Sequence, residues 1–523
     1  MSDRIKKTNF ASEKKQTQSM FKLFHGFHLV EAYQAEMKRR LHDRKRLPAK
    51  IEKLIVAIVI PLVLWLMPTE YYGVPGLTII EQRMIAIFVF AALMWMLDPV
   101  PAWTTSVFLV TVMLLTVSDS SLWLMTKPYT AEQLGTAVSY KAIMHSFADP
   151  IIMLFIGGFI LAIAATKTGL DMKLAKTLLK PFGTQSRYVL LGFLLVTAVF
   201  SMFLSNTATA AMMLMFLTPV LKALPADGKG KIALALAIPI GANVGGMATP
   251  IGTPPNAIAL KYLNDPAGLN LGIGFGEWMS FMLPFVLVII FIAWGVLLHL
   301  FPFKQKTIKL EIEGEAKKDW RSIVVYVTFA LTILMWVSDS VTGVNANVVA
   351  MIPVGVFCII GVITRRDLEE INWSVLWMVA GGFALGEGLN ATGLAQHIIE
   401  TIPFNTWSPV AMVVGSGIIC YGLSNVISNT ATAALLVPIL AIAGISMGSS
   451  LDMVGGVSTL LIGIAISASM AMILPISTPP NALAHGTGMV AQNDFVKTGI
   501  IMGVVGLTLG YTMLICLGSI GWL

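Results

Sequence analysis

Charge is what this chain has least of. Only 12% of its 523 residues are Asp, Glu, Lys or Arg, against 56% hydrophobic, and the mean hydropathy is +0.79. A water-soluble domain cannot hide that much apolar surface, so the bilayer is the solvent for most of the chain. Cysteine is scarce too. Cys358, Cys420 and Cys516 sit inside apolar runs, at spacings that suit neither a disulfide framework nor a metal site, and they read as core fillers. Also missing are an HExxH run and a His beside a repeated Asp or Glu, which argues against a membrane-embedded enzyme.

The net charge of +7 lies mainly in loops and in the N-terminal tail, where it reads as topology information and not as a nucleic-acid footprint. Residues 1–50 are polar and basic with no cleavable apolar core, so a cytoplasmic tail is expected. Between Lys38 and Lys53 there are eight Lys or Arg against two acidic residues, which puts the N-terminus inside. Fifteen apolar stretches follow between residues 54 and 520. Several are shorter than the roughly 20 residues a helix needs to cross the hydrocarbon core.

The polar residues that remain are not scattered. SNTATAA at Ser205–Ala211 returns at Ser428–Ala434, 223 residues later, and TPPNA at Thr253–Ala257 returns at Thr478–Ala482, 225 later. GGF at Gly157–Phe159 returns at Gly381–Phe383, and TGL at Thr168–Leu170 returns at Thr392–Leu394. Landmarks repeated in one order at nearly one spacing mean an internal duplication. Lys173, Lys176, Lys180 and Arg187 precede the first heptapeptide pair of helices and Lys222, Lys229 and Lys231 follow it, so both its ends are read as cytoplasmic. The second pair lies in a stretch without Lys or Arg from Asp367 to Val496, so its ends are read as outside. The expected architecture is therefore an inverted-topology repeat.

Ser, Asn and Thr are poor mid-helix residues that favour caps and turns. Each heptapeptide is thus expected to form the tip of a re-entrant hairpin, with Ser205 or Thr207 capping the second leg of the first one. In each TPPN the Thr suits an N-cap and the first Pro suits the first helical position, as Thr253–Pro254 and again as Thr478–Pro479. Broken backbone at membrane depth persists only where protein buries it or where it lines a wet cavity. Small residues such as ATAA also serve close helix packing, but two copies, each with a Pro-Pro break, point past packing to a site. Asn can donate to a carboxylate and offer a carbonyl oxygen to a cation, and half-helix N-termini favour anions. No Lys or Arg lies in any of the four motifs. A dianion held there by dipoles alone is under-compensated, so bound cations are the natural remedy.

These paired motifs resemble the divalent anion:sodium symporter family, which includes sodium-coupled dicarboxylate, citrate and sulfate carriers; the resemblance covers nearly all of the chain after the tail. It implies an all-α polytopic membrane protein of about 11 transmembrane helices, with inverted repeats, two re-entrant hairpins and discontinuous helices. It further implies a homodimer in the bilayer, working by an elevator-like motion. The resemblance assigns the small anionic substrate to Ser205, Asn206, Thr207, Thr253, Ser428, Asn429, Thr430, Thr478 and Pro479. It assigns Na⁺, the transported co-ion, to Ser201 with Asn206 and Gly252, and to Ser424 with Asn429 and Ser477. Ser424 and Ser477 stand where the family carries other residue types.

The expected domains are the tail 1–50, a first membrane half 51–303 with its repeat from roughly 80, a cytoplasmic linker 304–322, and a second repeat 323–523. Sodium-coupled symport of four-carbon dicarboxylates such as succinate is the reading, with sodium-independent exchange or citrate or sulfate carriage as alternatives. The expected location is the plasma (inner) membrane, N-terminus cytoplasmic and C-terminus outside, with no nucleic-acid partner. Glu387 is either a functional intramembrane acid or a helix-end acid facing water. Lys167 is expected to snorkel to the interface and His485 to lie in a loop or interface.

Overall fold

A computed structural model describes residues 50–222, 224, 228–266, 268–308, 319–401 and 403–522. The expected tail, apart from Lys50, and residues 309–318 of the expected linker lie outside the described residues. The chain parts into two compact units, Met1–Val59 and Ile60–Leu523. In the first, the described residues 50–59 are helical.

The described residues of the second unit contain helices and no β-strand; pairing is confined to the isolated bridges Ser118 to Val138 and Gln185 to Thr307. The helices used below are α1 (Ile79–Leu97), α2 (Ala102–Thr116), α3 (Pro150–Thr168), α4 (Ser186–Phe203), α5 (Asn206–Lys222), α6 (Gly230–Gly245), α7 (Pro254–Leu263), α8 (Phe275–Leu300), α9 (Trp320–Val337), α10 (Met351–Ile359), α11 (Trp373–Ala391), α12 (Ser416–Ser424), α13 (Asn429–Met447), α14 (Gly456–Met470), α15 (Pro479–Gly486) and α16 (Gln492–Ser519). Among the described residues eight helices are long and apolar enough to cross a membrane, and five shorter apolar helices accompany them. Polar residues, glycine or proline interrupt the apolar stretches between α4 and α5, α6 and α7, α12 and α13, and α14 and α15, and three of the five shorter helices border these breaks.

Local chemistry sets these ends. Asp149 accepts the Ile151 N–H and precedes Pro150 at the first position of α3, while Gly169 closes that helix at φ +70°. Ser205 Oγ accepts the Ala208 N–H at 3.2 Å at the start of α5, and Ser428 Oγ accepts the Ala431 N–H at 3.2 Å at the start of α13. The expected cap of α5 is thus Ser205. Pro254 and Pro479 open α7 and α15 as expected. Thr478 caps α15 through its side chain, but Thr253 holds the N-cap position of α7 without a capping side-chain bond.

Packing duplicates as the sequence does. α6 lies against α4, α5 and α8, and α14 lies against α12, α13 and α16. The short helices cross over: α7 packs on α13 and α14, and α15 packs on α5 and α6. Around them, α11 packs on α2 and α13, and α3 packs on α9 and α10.

The α4–α6 contact is close enough to require glycine. A Cβ at Gly245 would lie 2.4 Å from Ala198 Cα, whereas one at Gly295 of α8 would meet nothing within 4 Å. Overpacking of this kind costs about 1–3 kcal/mol. Gly245→Ala should therefore lower the melting temperature in detergent while Gly295→Ala does not. Equal melting of the two variants would refute the tight α4–α6 contact.

Candidate functional site

At the first break the chain leaves α4 through extended Leu204, and Asn206 becomes the first residue of α5. Its amide turns back toward α4 and α6. Ser201 Oγ, fully buried, lies 2.6 Å from Asn206 Oδ1 and 2.7 Å from the Ala242 carbonyl. One hydroxyl hydrogen cannot serve both oxygens. The inward position of the amide also lies 3.1 Å from the Gly252 carbonyl and 3.2 Å from the Ala242 carbonyl. If Nδ2 occupies it, the amide donates to these oxygens; if Oδ1 occupies it, four acceptor oxygens face one another with a single proton among them. The second arrangement is an oxygen cage suited to a hard cation. It brings together the three residues expected there, Ser201, Asn206 and Gly252, and adds the Ala242 carbonyl.

Glycine makes this approach possible. A Cβ at Gly246 would fall 2.6 Å from Asn206 Oδ1, and one at Gly252 would fall 2.3 Å from the Gly246 carbonyl. The backbone from 246 to 253 can fold onto the tip only because neither position carries a side chain.

The second break repeats the core of this geometry. Ser424 Oγ, also fully buried, lies 2.8 Å from Asn429 Oδ1 and 3.1 Å from the Ala468 carbonyl. At Ser477, whose backbone is the part the resemblance assigns to the cation, the hydroxyl donates to the Asn425 carbonyl at 2.9 Å and lies 3.2 Å from Asn425 Oδ1, so its side chain is turned to Asn425. In the first half Thr249 Oγ1 donates to the Met202 carbonyl. Each loop before Thr-Pro-Pro is therefore strapped to the residue after the buried serine, by a different hydroxyl in each half.

Two asparagines close the broken backbone. Asn256 Nδ2 donates to the carbonyls of Gly246, Met247 and Thr249 at 3.2, 3.2 and 2.9 Å, and Asn481 Nδ2 donates to those of Met472 and Leu474 at 3.0 and 2.9 Å. The halves touch directly at Asn243 of α6, whose Nδ2 donates to Thr478 Oγ1 at 3.1 Å and to Asn481 Oδ1 at 3.3 Å. Of the residues expected to meet substrate, Thr207, Ser428 and Pro479 are exposed, Ser205, Asn206 and Asn429 are half-buried, and Thr253, Thr430 and Thr478 are buried. Ala242, Ala468, Asn243 and Asn425 were not singled out by the sequence. Two act through backbone carbonyls, which no side-chain pattern advertises.

Other polar groups lie elsewhere. The Lys167 ammonium donates to Asp367 Oδ2 and to the Val362 carbonyl, both at 2.7 Å. Burial pushes the Asp367 carboxyl up, but Lys167 and the hydroxyl and N–H of Thr364 outweigh it and hold the group down at about 2. Lys261, on α7, pairs with Asp149 at 2.6 Å and sits over the Phe383 ring of α11. Glu387 is exposed near the end of α11, and His485 is exposed with Nδ1 2.9 Å from the Val490 carbonyl. The run Gly444–Gly448 spells GxSxG, yet it ends helix α13 and does not turn a strand into a helix, so it is no nucleophile elbow. Among the described residues no three His, Cys, Asp or Glu come together as metal ligands.

Membrane-spanning helices wrapped around buried, uncharged, broken backbone define a membrane transporter, and the chain shares its fold with one. It superposes on the YdaH transporter of Alcanivorax borkumensis with a TM-score of 0.50 at 12% identity, covering 73% of this chain and 88% of that one. The chain belongs to the sodium:sulfate symporter family, the divalent anion:sodium symporters, whose transmembrane region matches residues 48–523. Its members are transporters, not enzymes. An uncharacterized transporter of Haemophilus influenzae is 32% identical over 418 residues, 76% of this chain and 86% of that protein. The sodium-dependent dicarboxylate transporter SdcS of Staphylococcus aureus strain USA300 is 28% identical over 519 residues, 91% of this chain and 94% of that protein.

The Asn256 amide serves three buried carbonyls, of which only that of Met247 has a second side-chain donor, Trp278 Nε1 at 3.1 Å. Asn256→Ala should destabilise the protein by about 1–3 kcal/mol, the cost of leaving buried acceptors unpaired. Thermal unfolding in detergent reads this directly, and an unchanged melting temperature would show that the break does not depend on that amide.

Proposed function

We propose that this protein is a sodium-coupled symporter of small dicarboxylates such as succinate, built as inverted repeats whose two re-entrant tips hold the anion and move across the bilayer in an elevator-type motion. The observation that carries the reading is the convergence, at Asn206 and again at Asn429, of a helix-start asparagine amide, a buried serine hydroxyl and a backbone carbonyl, in motifs that hold no Lys or Arg. With the Asn206 Oδ1 turned inward, the first of these becomes the oxygen cage a cation needs. The similarity to SdcS, named as a sodium-dependent dicarboxylate transporter, supports both the ion and the anion class. The working unit is taken to be a homodimer in the plasma membrane, N-terminus inside and C-terminus outside.

Charge explains the coupling. A dicarboxylate among the tips faces helix N-termini worth at most about half a charge each and no Lys or Arg from the motifs. Leaving charge uncompensated in a low-dielectric site costs several kcal/mol. Sodium held by Ser201, Asn206 and Gly252, and by Ser424 and Asn429 with the Ser477 backbone, removes that penalty and fixes the tips. The anion would then be held by Ser205, Asn206, Thr207, Thr253, Ser428, Asn429, Thr430, Thr478 and Pro479. Affinities must be linked reciprocally, sodium raising that for succinate and succinate that for sodium by the same factor.

Uptake of labelled succinate by proteoliposomes should require an inward sodium gradient, and Ser201→Ala should weaken apparent sodium affinity more than succinate affinity at saturating sodium. Equal uptake in choline overturns sodium coupling in favour of exchange, and failure of succinate beside transport of citrate or sulfate reassigns the anion. For the topology, a cysteine at Gly228 should label only from the cytoplasm and one at Ser449 only from outside. Labelling of both from one face would exclude the inverted repeat.

A further inference from the structure

We propose that Asn243 is a positioning residue that fixes the Thr478 hydroxyl as a hydrogen-bond donor toward the anion, and does so for one half of the site only. The inference rests on the reading of Thr478 as an anion ligand. It begins at Asn481, whose Nδ2 gives both hydrogens to the carbonyls of Met472 and Leu474. That orients the amide and points Oδ1 at α6, where Asn243 Nδ2 meets it at 3.3 Å. Turned over, Asn243 would set its own Oδ1 against the Oδ1 of Asn481. Its orientation is therefore dictated.

The other contact of the Asn243 Nδ2 is Thr478 Oγ1 at 3.1 Å, and the Asn481 backbone N–H also donates to that oxygen at 3.3 Å. A hydroxyl has two acceptor lone pairs and one hydrogen. With both lone pairs receiving N–H groups, Thr478 retains only its hydrogen, so it can donate and cannot accept. A carboxylate, which only accepts, is the partner such a group selects, whereas an Na⁺ ion is turned away.

The first half lacks this relay. Thr253 makes no capping side-chain bond. Asn256 Oδ1, the counterpart of Asn481 Oδ1, is buried without a partner, and so is the hydroxyl of Ser469, which aligns with Asn243 because Ala242 aligns with Ala468. Thr253 thus stays free to donate or to accept, and the two threonines are chemically unequal despite identical motifs. Asn243 is itself 1% exposed with an unpartnered Oδ1. A leucine there would avoid that cost but would strand the Asn481 Oδ1, so the amide serves both Asn481 and Thr478, and succinate KM is the readout that separates the two roles.

A double-mutant cycle on labelled succinate uptake in proteoliposomes tests this. Thr478→Val and Asn243→Leu should each raise the succinate KM roughly tenfold or more, the scale of a hydrogen bond to a charged group, with little change in apparent sodium affinity; Asn243→Leu also lowers the melting temperature, because the Asn481 Oδ1 loses its donor. The double variant should be no worse than the worse single one, because Asn243 acts through Thr478. Multiplicative effects, or a loss of sodium affinity in parallel with that for succinate, would overturn the proposal by making Asn243 a general structural residue. If Thr478→Val alone raises KM and Asn243→Leu does not, the relay is wrong and the anion site stands. If Thr478→Val leaves KM unchanged, the anion assignment of Thr478 falls and the relay with it. Should the leucine variant not fold, Asn243→Ala removes the same donor without added bulk and enters the same cycle.

Discussion

Two side-chain amides hold open a gap that a lipid-embedded chain should not tolerate. Between α6 and α7, and again between α14 and α15, the backbone leaves the helix and its carbonyls lose their intrahelical donors. In a medium without water each such group costs several kcal/mol. Asn256 and Asn481 supply the missing N–H groups by reaching back across the break. Once the breaks are held, Gly246 and Gly252 let the backbone fold against Asn206, the buried serines reach the helix-start asparagines, and carbonyls become available as ligands. Cage, tips and helix N-termini all follow from that support.

The two halves share this plan without being copies. One strap uses Thr249 on Met202 and the other uses Ser477 on Asn425. Thr478 is bonded from the opposite half, and Thr253 has no such bond. A duplicated site need not do the same thing twice. Small changes in which hydroxyl points where are enough to divide labour between ion and anion while the backbone stays nearly symmetric.

Much of this was legible in the sequence because polar and helix-breaking residues are conspicuous in an apolar chain. Ser205, Asn206, Pro254 and their second copies stand out for that reason, and they mark real helix starts. The Ala242 and Ala468 carbonyls could not be read, since an alanine in an apolar helix looks like packing whatever its carbonyl does. Asn243 was passed over because it does not recur as asparagine in the second copy. The ion pairs of Lys167 and Lys261 could not be read because their partners lie 200 and 112 residues away. Thr253 shows the converse error: its residue type and position suit a cap, yet the side chain does not make the bond.

The crossing of α7 onto α13 and α14, and of α15 onto α5 and α6, also bears on how the chain is made. Asn243 leaves the ribosome 235 residues before Thr478, its partner. At about 5–20 residues per second that interval is on the order of 10–50 s, far longer than helix formation takes. Throughout it the first half has neither α15 to cover α6 nor a second half to seat α7. Its buried amides must be kept wet or shielded by the insertion machinery. A ribosome stalled before Pro479 would leave a polar wound in the bilayer, so the residues from Pro479 onward carry the part that lets the first half leave its escort.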